Sequence, residues 1–102
     1  MGFKNGMRPV HPGEVLREDY LKPLAMSVNA LAKRLGIPAS RLNDIVLQRR
    51  GVTPDTAMRL ARCFGGDARS WLNLQTAYDL RVAEAECAKE IARSVEPLPR
   101  SA

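Results

Sequence analysis

The sequence predicts an all-α domain of five helices. In five segments the apolar residues recur at intervals of three and four, which is the spacing that places side chains on one face of a helix. No run of strand length alternates between apolar and polar residues. Apolar residues make up 45% of the chain and aromatic residues only 5%, so we expect a helical core of Leu, Ala, Val and Ile.

The chain of 102 residues has the length of one domain with a single core. We expect residues 11–92 to form this domain. A flexible N-terminal segment is predicted at residues 1–10 and a flexible tail at residues 93–102, where Pro97 and Pro99 discourage regular structure.

The first two helices are predicted from their end signals. The first spans about residues 12–21, because Pro12 suits the first helical position and Glu14 complements the positive end of the helix dipole. The second begins after Ser27, whose hydroxyl can cap it. It ends at Gly36, which can adopt a left-handed conformation at little cost.

The remaining three helices follow closely. The third is predicted at about residues 39–47, immediately after the glycine corner. The fourth begins at the Thr-Pro-Asp sequence of residues 53–55, which supplies a cap, a first-position proline and an early acid. Gly65 and Gly66 end it. The fifth begins after Asp67, and its apolar stripe continues to about residue 92.

The second and third helices must meet across a tight corner, within residues 30–45, ALAKRLGIPASRLNDI. A steep crossing of two helices lets one of them protrude into the major groove of DNA. The small, flexible and apolar residues that such a corner needs are all present: Ala32, Gly36, Ile37, Leu42 and Ile45. An ordinary helical hairpin is the alternative interpretation of the corner alone.

Positive charge is concentrated around this corner. The formal net charge is +5, and residues 27–51 contain five cations and one anion. Such a local field favours a polyanionic partner, of which nucleic acid is the common example. A solvated cationic surface without a partner is the alternative.

Four segments of the chain carry a resemblance to a known family. They are HPGEVLREDYLKPLAMS, NALAKRLGIPASRLNDIV, RRGVTPDTAMRLARCFG and SWLNLQTAYDL, and the resemblance covers residues 11 to about 84. In this order they resemble the HigA family of bacterial antitoxins, five-helix Xre-type (phage-repressor-like) helix-turn-helix domains. The resemblance implies a homodimer that binds the double-stranded operator DNA of its own operon. It also implies neutralisation of a HigB-like toxin that cleaves mRNA on ribosomes.

Two positions depart from the family pattern. Many relatives carry Gln at the start of the second helix, where its amide meets DNA, and this chain has Val28. Relatives usually carry Gly before the two basic residues that follow the third helix, and here Gln48 stands in that place. The turn is then either built differently, or Gln48 itself contacts DNA.

The third helix is predicted to read bases. Leu42, Ile45 and Val46 form its inward face. The other residues remain to face outward or toward the groove: Ala39, Ser40, Arg41, Asn43 and Asp44. Arg41 can hold guanine O6 and N7 with two donors. Asp44 either accepts from cytosine N4 or pairs with Arg41 or another nearby cation, and we favour pairing.

Five neighbouring polar residues are predicted to contact phosphates: Lys33, Arg34, Gln48, Arg49 and Arg50. One such domain makes few base contacts, so two copies on a symmetric DNA site are expected.

The dimer interface is predicted on the apolar stripe of the last helix: Trp71, Leu72, Leu74, Tyr78 and Val82. Each of these residues taken singly is more often part of a core than of an interface. Residues 82–91 have fewer contacts available within the domain and are the stronger candidates for the dimer or toxin surface.

No candidate active site or metal site is found in the sequence. Cys63 and Cys87 are far apart, and His11 is remote from both, which argues against zinc. His11 precedes Pro12 and suits a helix cap or turn. We therefore predict no enzymatic activity, metal, cofactor or small-molecule substrate. No apolar stretch reaches the length of a membrane span, so we predict no membrane contact and a cytoplasmic location with reduced thiols.

Three functions are compatible with the sequence. The first is a DNA-binding antitoxin that represses its operon as a dimer and occludes a toxin ribonuclease. The second is a protein-interaction module that neutralises a partner while hardly binding DNA, which the departures at Val28 and Gln48 allow. The third is a standalone regulator without a toxin. An enzyme is the weakest of the readings.

Overall fold

The computed structural model describes residues 8–99, and within them the chain forms five helices and no strand. The prediction of an all-α, five-helix domain is confirmed. The first helix, α1, is α-helical over Pro12–Val15 and continues as a π-helix over Leu16–Leu21. The other helices are α2 (Val28–Leu35), α3 (Ala39–Val46), α4 (Pro54–Phe64) and α5 (Ala68–Ser94).

The structure describes only part of each of the two flexible segments predicted at the ends of the chain. Helix α5 ends at Ser94, slightly later than predicted, and residues 95–99 follow without regular structure. Most of the predicted N-terminal segment, residues 1–7, lies outside the described residues, as do residues 100–102 of the predicted tail.

The helix ends are fixed by local hydrogen bonds. The side chains that cap α2, α4 and α5 are the predicted ones: Ser27, Thr53 and Asp67. The Ser27 hydroxyl accepts from the backbone N–H of Ala30 at 3.0 Å. The Asp67 carboxylate accepts from the N–H of Ser70 at 2.9 Å, and this bond lowers the pKa of Asp67. Gly36 ends α2 with a φ of +71°, as predicted.

Helix α1 changes its pitch after one turn. The N–H of Lys22 donates to the carbonyl oxygen of Arg17 at 3.0 Å, a spacing of five residues instead of four. The wider turn brings Leu16 and Leu21, also five apart, onto the same buried face. The helix was predicted at residues 12–21, but its π-helical part was not.

The core lies between α1, α2, α3, α4 and the start of α5. Its buried apolar residues are Leu16, Leu21, Leu31, Ala32, Leu35, Ile37, Leu42, Ile45, Val46, Val52, Ala57, Leu60 and Trp71. The inward face predicted for α3 is confirmed, since Leu42, Ile45 and Val46 are all buried. Ala32 is buried in α2, which packs against α3 across the corner.

The second half of α5 extends beyond the core. Every residue of α5 from position 83 onward is exposed, and the molecule is 56 Å long but only 26 by 25 Å across. Two large apolar side chains of α5 are also exposed, Leu80 near the middle of the helix at 57% and Ile91 near its end at 55%. Residues 82–91 therefore make little contact with the rest of the protomer.

Two kinds of feature are absent from residues 8–99. None of their helices is both long and apolar enough to pass through a bilayer. No three His, Cys, Asp or Glu side chains among them converge in a way that would hold a metal ion.

The buried ring of His11 caps α1. Its Nδ1 accepts from the N–H of Gly13 at 2.8 Å, and the ring meets that of Tyr78 edge-on, with centroids 4.8 Å apart. Of the helix cap or turn predicted for His11, the structure shows the helix cap. Burial lowers the pKa of His11 below its ordinary value of 6.5, while the charge of Asp79 opposes this effect.

This lowered pKa predicts a loss of stability in mild acid. In the unfolded chain His11 binds a proton as the pH falls through 6.5, whereas the folded chain resists protonation until a lower pH. The stabilisation is therefore complete above pH 6.5 and is lost below it. His11→Asn keeps a capping acceptor but does not titrate in this range, so its urea midpoint should depend less on pH. Parallel midpoint curves for the two proteins between about pH 5 and about pH 8 would contradict this expectation.

Candidate nucleic-acid interface

Helix α3 has one side buried against other helices and one side exposed to solvent. Both α1 and α2 pack against its apolar side. On the opposite side Ser40, Asn43 and Leu47 are exposed, and we call these three residues the outer face of α3. They include two of the predicted base-reading residues, and both carry hydrogen-bonding side chains. Ala39 and Asp44 flank this face and are partly exposed.

Asp44 pairs with a cation, as favoured from the sequence, and that cation is Arg49. Nη2 of Arg49 lies 3.2 Å from Oδ1 of Asp44. The backbone N–H of Arg49 also donates to the carbonyl oxygen of Asp44 at 2.7 Å. The side chain of Arg49 remains 64% exposed, so this pair leaves it accessible to a phosphate.

Arg41 does not extend outward with Ser40 and Asn43, which corrects the predicted orientation. Its side chain is only 32% exposed and turns toward α4, where Nη2 lies 3.6 Å from Oδ2 of Asp55. The Nε atom is buried and has no hydrogen-bond acceptor among the described residues. The physical reason is the attraction of the Asp55 carboxylate, which comes from a different helix and is not visible in the periodicity of α3.

Cations lie near both ends of α3. All five predicted phosphate-contact residues are exposed: Lys33, Arg34, Gln48, Arg49 and Arg50. Lys33 and Arg34 are in the last turn of α2, beside the beginning of α3. Gln48, Arg49 and Arg50 follow one residue after α3 ends at Val46, so exposed cations precede and follow this helix along the chain.

Gln48 builds the turn that a glycine would build. Its φ is +65°, in the left-handed region that favours glycine. Its N–H donates to the carbonyl oxygen of Ile45 at 2.9 Å, which closes the turn after α3. The alternative that the turn is built differently is therefore not supported, and the side chain of Gln48 is exposed beside Arg49.

Gln48→Gly is expected to stabilise the fold by about 0.5–1 kcal/mol, because relief of the left-handed strain exceeds the extra entropy of glycine in the unfolded chain. Gln48→Ala keeps the strain and should bring no such gain. Urea denaturation of both variants measures the difference. A glycine variant no more stable than the alanine variant would contradict the expectation, and a shared loss of DNA affinity would assign a DNA contact to the Gln48 side chain.

Asp55 and Arg59 of α4 also belong to the site, and neither was predicted from the sequence. Arg59 donates from Nη1 to the carbonyl oxygen of Leu35 at 2.8 Å, at the end of α2, and from Nε to Oδ2 of Asp55 at 2.9 Å. Arg59 thereby links α4 to the end of α2 by a hydrogen bond. The spacing of Asp55 and Arg59 in one helix indicates a pair, but the contact with Leu35 depends on how the helices dock.

The predicted interface residues of α5 differ in their burial. Trp71 is only 6% exposed and lies in the protomer core, 5.5 Å from Tyr20 between ring centroids. Its assignment to an interface is therefore corrected, because the first turn of α5 packs on the body of the domain. The other predicted residues are partly buried: Leu72, Leu74, Tyr78 and Val82.

The fold and the site together define a class. Two short helices meet at a glycine corner, the second of them has an exposed outer face, and cations lie at both of its ends. This arrangement is that of an Xre-type helix-turn-helix protein, a class that binds DNA.

Comparison with known sequences agrees with this class. The family model described as "Helix-turn-helix" matches residues 18–71. "Virulence-associated protein I" of Dichelobacter nodosus is 61% identical over 83 residues, which cover 81% of this chain and 77% of that protein. "Antitoxin HigA-1" of Vibrio cholerae serotype O1 is 33% identical over 96 residues, which cover 93% and 89%.

Comparison with solved structures narrows the class to a family. Antitoxin GraA matches with a TM-score of 0.89 and 48% identity, over 91% of this chain and 100% of that one. The Pseudomonas aeruginosa antitoxin HigA, solved with the higBA promoter, matches with a TM-score of 0.87 and 44% identity, over 90% and 100%. The chain belongs to the HigA family of helix-turn-helix antitoxins.

Proposed function

We propose that this chain represses its own operon as a homodimer, by placing α3 of each copy in the major groove of a double-stranded operator. The exposed outer face of α3, with exposed cations before and after the helix along the chain, carries the proposal. The similarity to a HigA antitoxin solved with promoter DNA supports it.

The proposed roles follow the positions of the side chains. Ser40 and Asn43 offer hydrogen bonds to base edges, with Ala39 in apolar contact beside them. The exposed polar residues at the two ends of α3 contact phosphates: Lys33, Arg34, Gln48, Arg49 and Arg50. Asp44 orients Arg49 through their ion pair.

The proposed dimer uses α5, whose second half extends beyond the core. Its partly exposed positions near the body are Leu72, Leu74, Tyr78 and Val82. On the exposed surface of the same helix, Leu80 and Ile91 line an apolar strip that is open to solvent. A second copy would cover these side chains, and burial of apolar area favours association.

We also propose that the chain binds and neutralises a HigB-like toxin that cleaves mRNA. Support for this partner comes from family membership, since the relatives include proteins named as antitoxins. Co-expression with a small basic protein encoded in a neighbouring frame tests it. Co-purification of the two chains and recovery of cell growth are the expected results.

A mobility shift with the DNA upstream of the gene, run across a salt series, tests the DNA-binding proposal. Arg49→Ala is expected to reduce the slope of log affinity against log salt by about one, and to weaken all sequences alike. Arg93→Ala, at the far end of α5, is the matched control and should leave the slope unchanged. If both variants keep the wild-type slope, Arg49 is not at the interface.

The alternative of a toxin-binding module that hardly binds DNA is favoured by one observation. Val28, at the start of α2, is partly buried against the core and offers no amide to a phosphate. A chain that captures the toxin but does not shift its upstream DNA would establish this alternative. A specific shift in the absence of any toxin gene would instead indicate a standalone regulator.

A further inference from the structure

The carboxylate of Asp55 lies between two arginines from different helices. Its Oδ2 accepts a hydrogen bond from Nε of Arg59 at 2.9 Å and lies 3.6 Å from Nη2 of Arg41. Arg59 is fixed at its other end, where Nη1 donates to the carbonyl oxygen of Leu35 at 2.8 Å. Arg59 therefore holds Asp55 in place, and Asp55 in turn attracts Arg41.

Arg41 is held less completely than Arg59. Its distance of 3.6 Å from Asp55 is an ion pair but is longer than a good hydrogen bond. Its Nε is buried and finds no acceptor within residues 8–99. Because a buried donor without an acceptor is unfavourable, the guanidinium is attracted to this position without being satisfied there.

Arg41 is attached at the edge of the outer face of α3. Successive residues of a helix are rotated by about 100°, so Arg41 lies between the exposed Ser40 and the buried Ile45 on the helix surface. From this position a long, flexible side chain can lie along α4, as it does here, or extend across the outer face toward a DNA base.

We propose that Asp55 is a positioning residue that holds Arg41 away from DNA and releases it to a base offering two acceptors. The inference rests on the proposed binding of operator DNA through α3. Guanine O6 and N7 together satisfy the two-pronged guanidinium and compensate for the lost pair with Asp55. A single acceptor compensates less. On other sequences Arg41 therefore stays with Asp55, so the pair lowers affinity for the operator, which must break it, more than affinity for random DNA.

Asp55→Asn tests this role, because it keeps the shape and an acceptor for Arg59 while removing the charge. Binding to operator and to random-sequence duplex is measured at one salt concentration, in the wild-type and Arg41→Ala backgrounds. With Arg41 present we expect the variant to bind operator about tenfold more tightly and random DNA less than about threefold more tightly. In the Arg41→Ala background both changes should stay below about twofold.

Three controls separate this role from general effects of charge and folding. Glu96→Gln removes the same charge from the segment after α5 and should not alter the ratio of operator to random-DNA affinity. Asp55→Glu keeps the charge and should leave the ratio of operator to random-DNA affinity close to the wild-type value. Because Asp55 also lies in the first turn of α4, thermal unfolding by circular dichroism confirms that each variant is folded.

The outcomes separate the two proposals. Equal effects of Asp55→Asn in both backgrounds, or an unchanged operator-to-random ratio, would overturn the role of Asp55 and leave the repressor proposal standing. A wild-type chain that does not distinguish operator from random DNA would overturn both. The expected result is coupling between positions 41 and 55 that appears in discrimination and not only in affinity.

Discussion

Gly13→Ala is expected to cost about 3 kcal/mol or more of the free energy of unfolding. A Cβ at position 13 would lie 1.9 Å from the carbonyl oxygen of Ile45 and 2.8 Å from its carbonyl carbon. Both are backbone atoms of α3, so no side-chain rotation relieves the clash, and α1 must move away from α3. Since the native N–H of Gly13 also binds the His11 ring, the same displacement would disturb the cap of α1.

Gly51→Ala is the matched control for this variant. There the added methyl would meet the side-chain amide of Gln75 at 2.9 Å, and a flexible side chain can rotate away. The cost is the hydrogen bond from the N–H of Val52 to Gln75 Oε1, about 1 kcal/mol. Urea denaturation compares the two variants. Equal losses of unfolding free energy in the two variants would show that α1 does not pack directly against the backbone of α3.

Gly13 also marks a limit of what the sequence predicts. The neighbouring Pro12 and Glu14 act locally, on the first turn of their own helix, and they correctly predicted where α1 begins. The requirement for glycine comes from Ile45, which is distant along the chain and meets α1 only after the helices dock. No local pattern contains that information.

In α3 and α5, predictions that depend on one helix alone were correct, and predictions that depend on how helices pack together were not. The inward face of α3 follows from apolar spacing, which is a property of that helix alone, and it was predicted correctly. The direction of Arg41 depends on Asp55 in α4, and the burial of Trp71 depends on how α5 packs on the domain. Periodicity identifies the apolar side of α5 but cannot tell which part a neighbour within the protomer covers.

Of two left-handed backbone positions near α3, Gly36 and Gln48, one was predicted from its residue type and the other was not. Gly36 was predicted to be left-handed because the residue type favours it, and the structure confirms this. Gln48 adopts a similar φ although its residue type does not favour it, because the turn after α3 must close on Ile45. Comparison with the family identified the position as unusual, but only the coordinates show that its backbone keeps the glycine conformation.

Asn43→Asp is expected to weaken operator binding about 100-fold while leaving the fold intact. Asn43 lies on the exposed outer face of α3, and aspartate has nearly the same shape. The substitution removes an amide donor, worth about 1–3 kcal/mol at a base edge, and places a negative charge among phosphates. Since about 1.4 kcal/mol corresponds to a tenfold change in affinity, these two effects together reach about 100-fold. A mobility shift at fixed salt measures the loss, and thermal unfolding checks the fold.

Asn73→Asp provides the matched control, because Asn73 is also exposed but lies on α5. It makes the same change of shape and net charge, so any long-range repulsion of DNA is common to both variants. We expect it to weaken binding by less than about threefold, because α5 is not the helix proposed to enter the groove and salt screens exposed charges. Equal losses in the two variants would mean that total charge governs affinity. Normal binding by Asn43→Asp would mean that the outer face of α3 does not enter the groove, and the DNA-binding surface would then have to be sought on another helix.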